Sequence, residues 1–456
     1  MTEESGQNIK PGLAVDSEGR IWLAWQSNCG GSWTAGKADW GVYTKFYDGN
    51  VWSAEALAVD YHGTNDLLFD IAADGEGKVW TGWNSAKFDG DSETVMIGGS
   101  YYWKGEWNSV STDTINEPYE RYPGPVGLFF HKDSLCMVIV PNSLETYPRI
   151  YDFYTHTFET LNNYPGVYPR GICSPISFLS QIGDEKVWVV LNIISHFAGS
   201  PETYLLPTAY FLSNESWDVR WIDLGIYSPH LGGLVRYVSV KSVGSDARSK
   251  IYITCTVDDE PVTRDVNGLA YYLNTHLEVW SFNATTGDTL SHWNLGDTEP
   301  SVTCYFTDDG IEVSTTDESE IVGFAISRNG DTSLRALRDS IWYKPVSLEE
   351  DSTITSAYPS AVVDHLGNIW VAWDDGKDIY VSWVNIADME VDELLTSVKS
   401  DAEDIAAKPA RFFLAPNYPN PFNVSTSIVF QIPFDTVAEL SVYDLLGQRV
   451  RALISG

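Results

Sequence analysis

The chain has 456 residues, 43% of them hydrophobic and 13% aromatic, enough apolar surface for a sizeable core. Its 28 Lys and Arg against 63 Asp and Glu give a formal net charge of −35, which excludes nucleic acid and anionic membrane as partners, since both require clustered cations. No run approaches the ~20 apolar residues of a membrane span.

The first six residues, Met1 to Gly6, carry neither a basic start nor an apolar run, so no signal peptide is visible. Patterned structure begins near Ile9. With 36 Gly and 21 Pro punctuating the chain and no long segment of helical period, the expected class is all-β.

Three stretches are near-copies: residues 16–25 (Asp16, Gly19, Ile21, Trp22, Trp25), residues 74–83 (Asp74, Gly77, Val79, Trp80, Trp83) and residues 364–373 (Asp364, Gly367, Ile369, Trp370, Trp373). Asp first and Gly fourth suit a type I turn closing into a Gly bulge. The strand that follows is apolar at every position. Side chains alternate along a strand, so Trp22 and Trp25 point to opposite faces and both faces need cover. A recurring unit of this kind marks a repeat architecture of sheets packed against sheets.

Weaker copies fill the gap, aligned at Cys136, Trp188, Tyr252 and Glu312. With Trp22, Trp80 and Trp370 they make seven, separated by 58, 56, 52, 64, 60 and 58 residues. A four-stranded blade needs about 40–50 residues, so a seven-bladed β-propeller over residues 8–395 is expected, its Trp-bearing strands innermost. The poor Cys136 and Glu312 copies leave six or eight blades open. The last blade is closed either by residues ahead of Met1 or by the segment around Met389–Leu395.

The residue after each of these strand cores is Gln26, Asn84, Val140, Asn192, Thr256, Thr316 and Asp374. Equivalent blades would place them around one mouth, where polar side chains hold a polar ligand by directional hydrogen bonds. The ligand-binding candidates are Gln26, Asn84, Asn192, Thr316, Asp374 and Asp375. A strand leaving a core also turns polar simply because it meets water.

Other chemistry is sparse. The eight His never fall at metal-ligand spacing, and no H-E-x-x-H, G-x-S-x-G or phosphate-loop motif occurs. The five Cys are odd in number and scattered, neither a disulfide framework nor a zinc site. The run from Asp89 to Glu93 has alternate carboxylates like a short calcium loop without the full ligand set. It reads as a solvated hairpin tip, and no cofactor is expected beyond a weak structural calcium.

A polar, aperiodic linker covers 396–411. Beyond it come Asn417, Tyr418, Pro419, Asn420, Pro421, Phe422 and Asn423, then a Ser-Thr-x-Ile strand, then Val442, Tyr443, Asp444, Leu445, Leu446 and Gly447. Read from the residues, this is a Pro-pinned entry followed by the first strands of a small antiparallel sandwich. Together these motifs resemble the C-terminal sorting domain of type IX secretion cargo, an Ig-like module, over residues 412–456. The resemblance implies export through the outer-membrane secretion machinery, with the protein extracellular or held at the outer cell surface. Val424 departs from the family's usual Pro. The chain also stops about halfway through the domain, so a truncated Ig-like sandwich is expected.

The expected function is a secreted or surface-displayed propeller that binds a glycan, a peptide or a partner protein. The alternative is a glycoside hydrolase or polysaccharide lyase on the same scaffold, with two carboxylates flanking the scissile bond. The repeated hairpin resembles the Asp-box of sialidase-like propellers. It departs in its Asp–Gly spacing and lacks the Thr, so the resemblance implies no sialidase activity.

Overall fold

The computed structural model describes residues 7–28, 40–59, 65–74, 76–89, 92–109, 113–115, 123–131, 134–141, 149–152, 157–160, 173–182, 186–196, 203–205, 208–213, 216–221, 237–245, 250–258, 261–264, 270–272, 275–283, 289–297, 311–315, 321–328, 331–348, 357–393, 395, 413–414, 430–431, 439–443 and 449–455. It divides into two compact units, Met1–Val398 and Lys399–Gly456. Among the described residues no helix is long and apolar enough to cross a membrane.

The first unit is all-β. Its first sheet runs Asn8–Val15, Ile21–Ser27, Gly41–Tyr47 and Ala56–Val59, each strand antiparallel to the one before. Among the described residues six further sheets of three or more strands follow, led by Asn65–Ala73, Pro123–His131, Cys173–Ile182, Tyr237–Ser245, Ile311–Thr315 and Ala357–Val363, besides a two-stranded sheet of Pro261–Arg264 and Ala270–Tyr272. Each leading strand lies beside the leading strand of the next sheet, and the seventh lies beside the first. The arrangement is that of a β-propeller.

The repeated hairpin explains itself at atomic level. Gly19, Gly77 and Gly367 have φ of +77°, +90° and +81°, the left-handed conformation that Gly adopts without steric penalty. The amide of Gly19 donates to the Asp16 carbonyl at 2.9 Å, closing the turn as the residues predict. Asp16 Oδ1 accepts from the amides of Glu18 (3.0 Å) and Arg20 (2.9 Å), while Oδ2 accepts from the Trp22 indole at 2.8 Å. Asp74 does the same for Glu76, Lys78 and Trp80. Asp364 serves Leu366, Asn368 and Trp370. One carboxylate satisfies two turn amides and a half- or fully buried indole six residues on, which is why Asp and Trp recur together.

The paired tryptophans do face both ways. Trp22 packs with Leu68, Ile71 and Trp83 of the second sheet, whereas Trp25 packs with Trp370 and Ile379 of the seventh. Trp80 lies against Leu128 and Met137 of the third sheet, and Trp373 against Ala325 and Leu334 of the sixth. The first Trp of each pair therefore looks to the next sheet and the second to the preceding one, and Trp25 and Trp370 share one cluster. Close packing sets residue size here: a Cβ on Gly98, opposite Trp83, would clash with the indole at 2.2 Å.

Three sequence expectations need correction. The Trp-bearing strands are second in their sheets, not innermost; the leading strands line the axis. The Glu312 stretch is itself a leading strand, and the second strand of the sixth sheet is Ile321–Arg328. The segment after Met389 does not complete the seventh sheet. It runs onto the sixth, where Val391 bridges Tyr343 and the Lys344 amide donates to the Glu390 carbonyl at 2.8 Å.

In the second unit, Phe413–Leu414 pairs antiparallel with Phe430–Gln431, and Glu439–Tyr443 with Arg449–Ser455. Tyr443 lies on the latter hairpin. The expected linker 396–411, Asn417 through Asn423, Asp444 and Gly447 lie outside the described residues.

Candidate functional site

Six of the seven positions read as a mouth share one register. Gln26, Asn84, Val140 and Thr256 pair with Ile9, Leu67, Gly124 and Ser239 near the starts of their leading strands; Asp374 pairs with Ala357. Asn192 sits beside Ile193, which pairs with Cys173. Thr316 is the exception. It follows a leading strand, which runs the opposite way, and it lies outside the described residues.

What these side chains do was not legible in the sequence. Register breaks of the bulge kind occur in six leading strands, at Ile9/Gly12, Leu68/Asp70, Pro125/Gly127, Cys173/Ser177, Val240/Ser242 and Ala357/Ser360. A bulge withdraws backbone groups from the ladder, and buried backbone groups need partners. Gln26, 1% exposed, donates from Nε2 to the Leu68 carbonyl of the second sheet at 2.8 Å. Asp374, 2% exposed, accepts on Oδ2 from the Lys10 amide of the first sheet at 3.0 Å. Both reach the bulge of the following sheet. Through these atoms both side chains clamp one sheet to the next.

A second layer of clamps lies just past the bulge. Ser360 Oγ accepts from the Leu13 amide at 3.0 Å, and Asp70 Oδ2 accepts from the Leu128 amide at 2.7 Å. Asp70 Oδ1 also takes its neighbour's amide, Ile71, at 2.8 Å. Burial pushes the Asp70 carboxyl up to about 6 against the pull of the Leu128 and Ile71 amides.

At the junction of the seventh and first sheets the clamps become dense. The Asn8 amide and Nδ2 both donate to the Lys377 carbonyl, at 2.9 and 3.0 Å, while Asn8 Oδ1 accepts from the Trp25 indole at 3.2 Å. Asp374 Oδ1 accepts from the Gly376 amide at 3.0 Å. Burial raises the Asp374 carboxyl to about 6, opposed by its two amide donors and by the Lys10 charge. Lys10 has φ +52°; desolvation pulls its pKa down, with Asp374 acting the other way. Its side chain keeps open surface although protein crowds around it. Asp375 caps the turn, accepting from the Lys377 and Asp378 amides and from the Tyr380 hydroxyl at 3.0 Å. Burial would raise Asp375, but these donors outweigh it and its pKa is lowered. The side chains of Asn84 and Asn192 lie outside the described residues; both backbones sit within strands, Val79–Asp89 and Lys186–His196, that run past the expected exit.

One polar cluster escaped the sequence reading. On the outer half of the fifth sheet, strands Thr275–Asn283 and Thr289–Asp297, Glu278 lies 2.8 Å from His276 Nε2 and 3.0 Å from His292 Nε2. The Trp280 indole donates to Glu278 at 2.9 Å and stacks on His292 at 3.8 Å. Burial opposes the Glu278 charge, but the two imidazoles and the indole hold its pKa well below the usual range. The i, i+2 spacing of His276, Glu278 and Trp280 puts them on one strand face; His292 arrives only through cross-strand pairing with Trp280. Among the described residues no group of three His, Cys, Asp or Glu is placed to hold a metal.

No family model and no curated protein sequence matches the chain. Solved structures similar in strand arrangement include a polysaccharide lyase of the PL25 ulvan lyase family (TM-score 0.48, 10% identity, 84% of this chain and 94% of that one). A leech intramolecular trans-sialidase gives 0.45 and 11% identity over 84% of this chain and 69% of that one. An α-L-arabinanase from Penicillium chrysogenum gives 0.41 and 8% identity over 85% and 99%. At these scores the likenesses carry no weight for activity.

Proposed function

We propose that this chain is a secreted or surface-displayed propeller of seven blades that binds a glycan, a peptide or a partner protein without chemistry. Seven leading strands in mutual contact support the blade count. The observation that carries the binding reading is how the two carboxylates raised to about 6 are used. Among the described residues Asp70 and Asp374 are the carboxyls raised toward acid–base work, yet each has both oxygens engaged by backbone amides. A general acid needs an oxygen aimed at the leaving group. The mouth at the junction of the seventh and first sheets, with Lys10, Asp375 and Lys377 around the Asp374 clamp, is the proposed ligand surface.

The test is a glycan array run with the purified chain, alongside reducing-end release from every glycan that binds. Binding without release, weakened by Lys10→Gln together with Asp375→Asn, supports the reading. Turnover would install the hydrolase or lyase alternative, and unaltered binding in the double variant would move the surface elsewhere.

The region 412–456 is proposed as an Ig-like sorting module read by the type IX outer-membrane machinery. Its support is the ordered motif set from Asn417 to Gly447 together with the hairpin Glu439–Tyr443/Arg449–Ser455. In a type IX-competent host, deleting these residues should leave the protein inside the cell; unchanged export would refute the assignment.

A further inference from the structure

After the third strand of the seventh sheet, Ile379–Asn385, the chain turns through Ile386–Asp388. Asn385 pins that corner: its Oδ1 accepts from the Ala387 amide at 2.9 Å and its Nδ2 donates to Asn368 Oδ1 at 2.8 Å. The Ile386 amide donates to the Gly367 carbonyl at 3.1 Å. Burial then recurs at every third residue. Ile386, Met389 and Asp392 are buried and Leu395 is half-buried, whereas Ala387, Asp388, Glu390, Val391 and Glu393 are exposed. Met389 has φ −88° and ψ 144°, the extended left-handed conformation in which every third residue shares a face. Beyond it, backbone groups must bond to whatever the segment crosses.

It crosses a break in the sixth sheet. Along the strand Asp331–Arg338, Ile341–Trp342 pairs with Arg338 and Leu337, and Val346–Ser347 pairs with Leu334 and Ser333, so the break falls at Arg335. The Asp392 amide donates to the Trp342 carbonyl and the Lys344 amide to the Glu390 carbonyl, both at 2.8 Å. Asp392 Oδ2 lies 3.2 Å from the Arg335 guanidinium, with the side chains only 12% and 14% exposed. Burial pulls the Arg335 pKa down, and the Asp392 charge opposes it. Breaking an ion pair at that depth is costly, because the charge left behind stays buried without its counter-ion. Ile386 and Met389 sit in the apolar cluster of the sixth and seventh sheets with Leu334, Ala336 and Val371. Leu395 packs on the cluster of the fifth and sixth, which holds Trp293 and Trp342. One segment thus touches three consecutive sheets.

We propose that residues 386–395 are a strap that locks the seventh sheet to the two before it and opens as one unit about the Arg335–Asp392 pair. The strap lies between Ile379–Asn385 and the chain from Lys399 onward, so a pull from that side must undo the strap before it can peel the strand. The ring is then held at its last sheet from both sides. Asn8 and Asp374 clamp that sheet to the first, and the strap fastens it to the fifth and sixth. None of this depends on what the mouth binds.

Hydrogen exchange of the full chain tests the strap, with wild type compared against Asp392→Asn and Lys344→Gln. Asp392→Asn keeps an acceptor for the Leu395 amide, which donates to Asp392 Oδ1 at 3.4 Å, and removes the charge facing Arg335. The bonded amides of Lys344, Met389 and Asp392 should exchange together, faster than those of Ile21–Ser27. Their rate should rise about tenfold or more in Asp392→Asn, with Ile379–Asn385 following and Ile21–Ser27 unchanged. Lys344 pairs with Glu390 in the open, the side chains 54% and 79% exposed, so Lys344→Gln should change the rate less than about threefold. If Asp392→Asn lowers the urea midpoint of the whole chain, Arg335→Met is read in its place, with the same expected rates. Strap amides that exchange only together with Ile21–Ser27 would overturn the proposal, because no separate opening then exists. So would a rate that the variant read leaves unmoved, or an accelerated strap with Ile379–Asn385 unaffected.

Discussion

Replacing Asp364 by Ala should unfold the propeller more easily by roughly 2–4 kcal/mol. Asp364 Oδ1 accepts from the Leu366 and Asn368 amides, both at 2.9 Å; Oδ2 accepts from Asn368 Nδ2 at 2.8 Å and from the Trp370 indole at 3.0 Å. The turn amides sit next to the exposed Leu366, so water replaces the carboxylate there at small cost. The indole is different. Trp370 is buried against the first sheet, and an unsatisfied buried donor costs about 1–3 kcal/mol. Urea unfolding followed by tryptophan fluorescence measures the total, and an unchanged denaturant slope keeps the comparison two-state. A cycle with Trp370→Phe isolates the indole bond: the pair should show a coupling of about 1–2 kcal/mol. A cost below about 0.5 kcal/mol with no coupling would mean that the Asp of the repeat is only a turn former, and the account of the repeat would be wrong.

Gly98→Ala should destabilise by about 1–3 kcal/mol or more, because its Cβ would lie 2.2 Å from the fully buried Trp83 indole; a neutral result in thermal unfolding would show that the second sheet repacks freely. Gln26→Ala should cost about 1–2 kcal/mol by orphaning the Leu68 carbonyl at the bulge; Gln26→Glu should cost more, since it brings a charge and no donor, and the reverse order in urea midpoints would contradict the clamp. For pH, the ordinary Asp value is 3.8 and both Asp70 and Asp374 stand at about 6 in the fold. The folded chain binds these protons more tightly, so their contribution to stability grows as pH falls from about 6 to about 4. The increase is at most roughly 2–3 kcal/mol for each. Glu278 acts in the opposite sense: its stabilisation is present above about pH 4.5 and is lost on further acidification. Urea midpoints from pH 7 to 4 should therefore rise, and Asp70→Asn with Asp374→Asn should flatten that rise; an identical profile in the double variant would remove these two groups from the explanation.

The repeat was legible because local chemistry wrote it. Asp16, Gly19 and Trp22 answer to one another within a single hairpin, through a left-handed Gly, two turn amides and an indole six residues away. The two-faced burial of Trp22 and Trp25 was legible too, because strand alternation puts them on opposite sides whatever lies beyond. The order of strands across each sheet was not. A hairpin reads the same whether its second strand is nearest the axis or one removed, so the innermost place went to the wrong strand. The sixth sheet was misaligned because Asp308, Asp309 and Gly310 ahead of Ile311–Thr315 imitate the turn that precedes a second strand.

Sequence alone determined an all-β chain of recurring hairpins with apolar faces on both sides, since each of those properties belongs to residues within a few positions of one another. Only the tertiary structure decided what the polar residues at the ends of those strands are for. Gln26 meets Leu68, Asp374 meets Lys10 and Asp70 meets Leu128, in each case across a junction between sheets far apart along the chain. A bulge in a neighbouring strand creates the need, and the polar side chain opposite answers it. Spacing along one strand carries no record of what its neighbour has left unpaired.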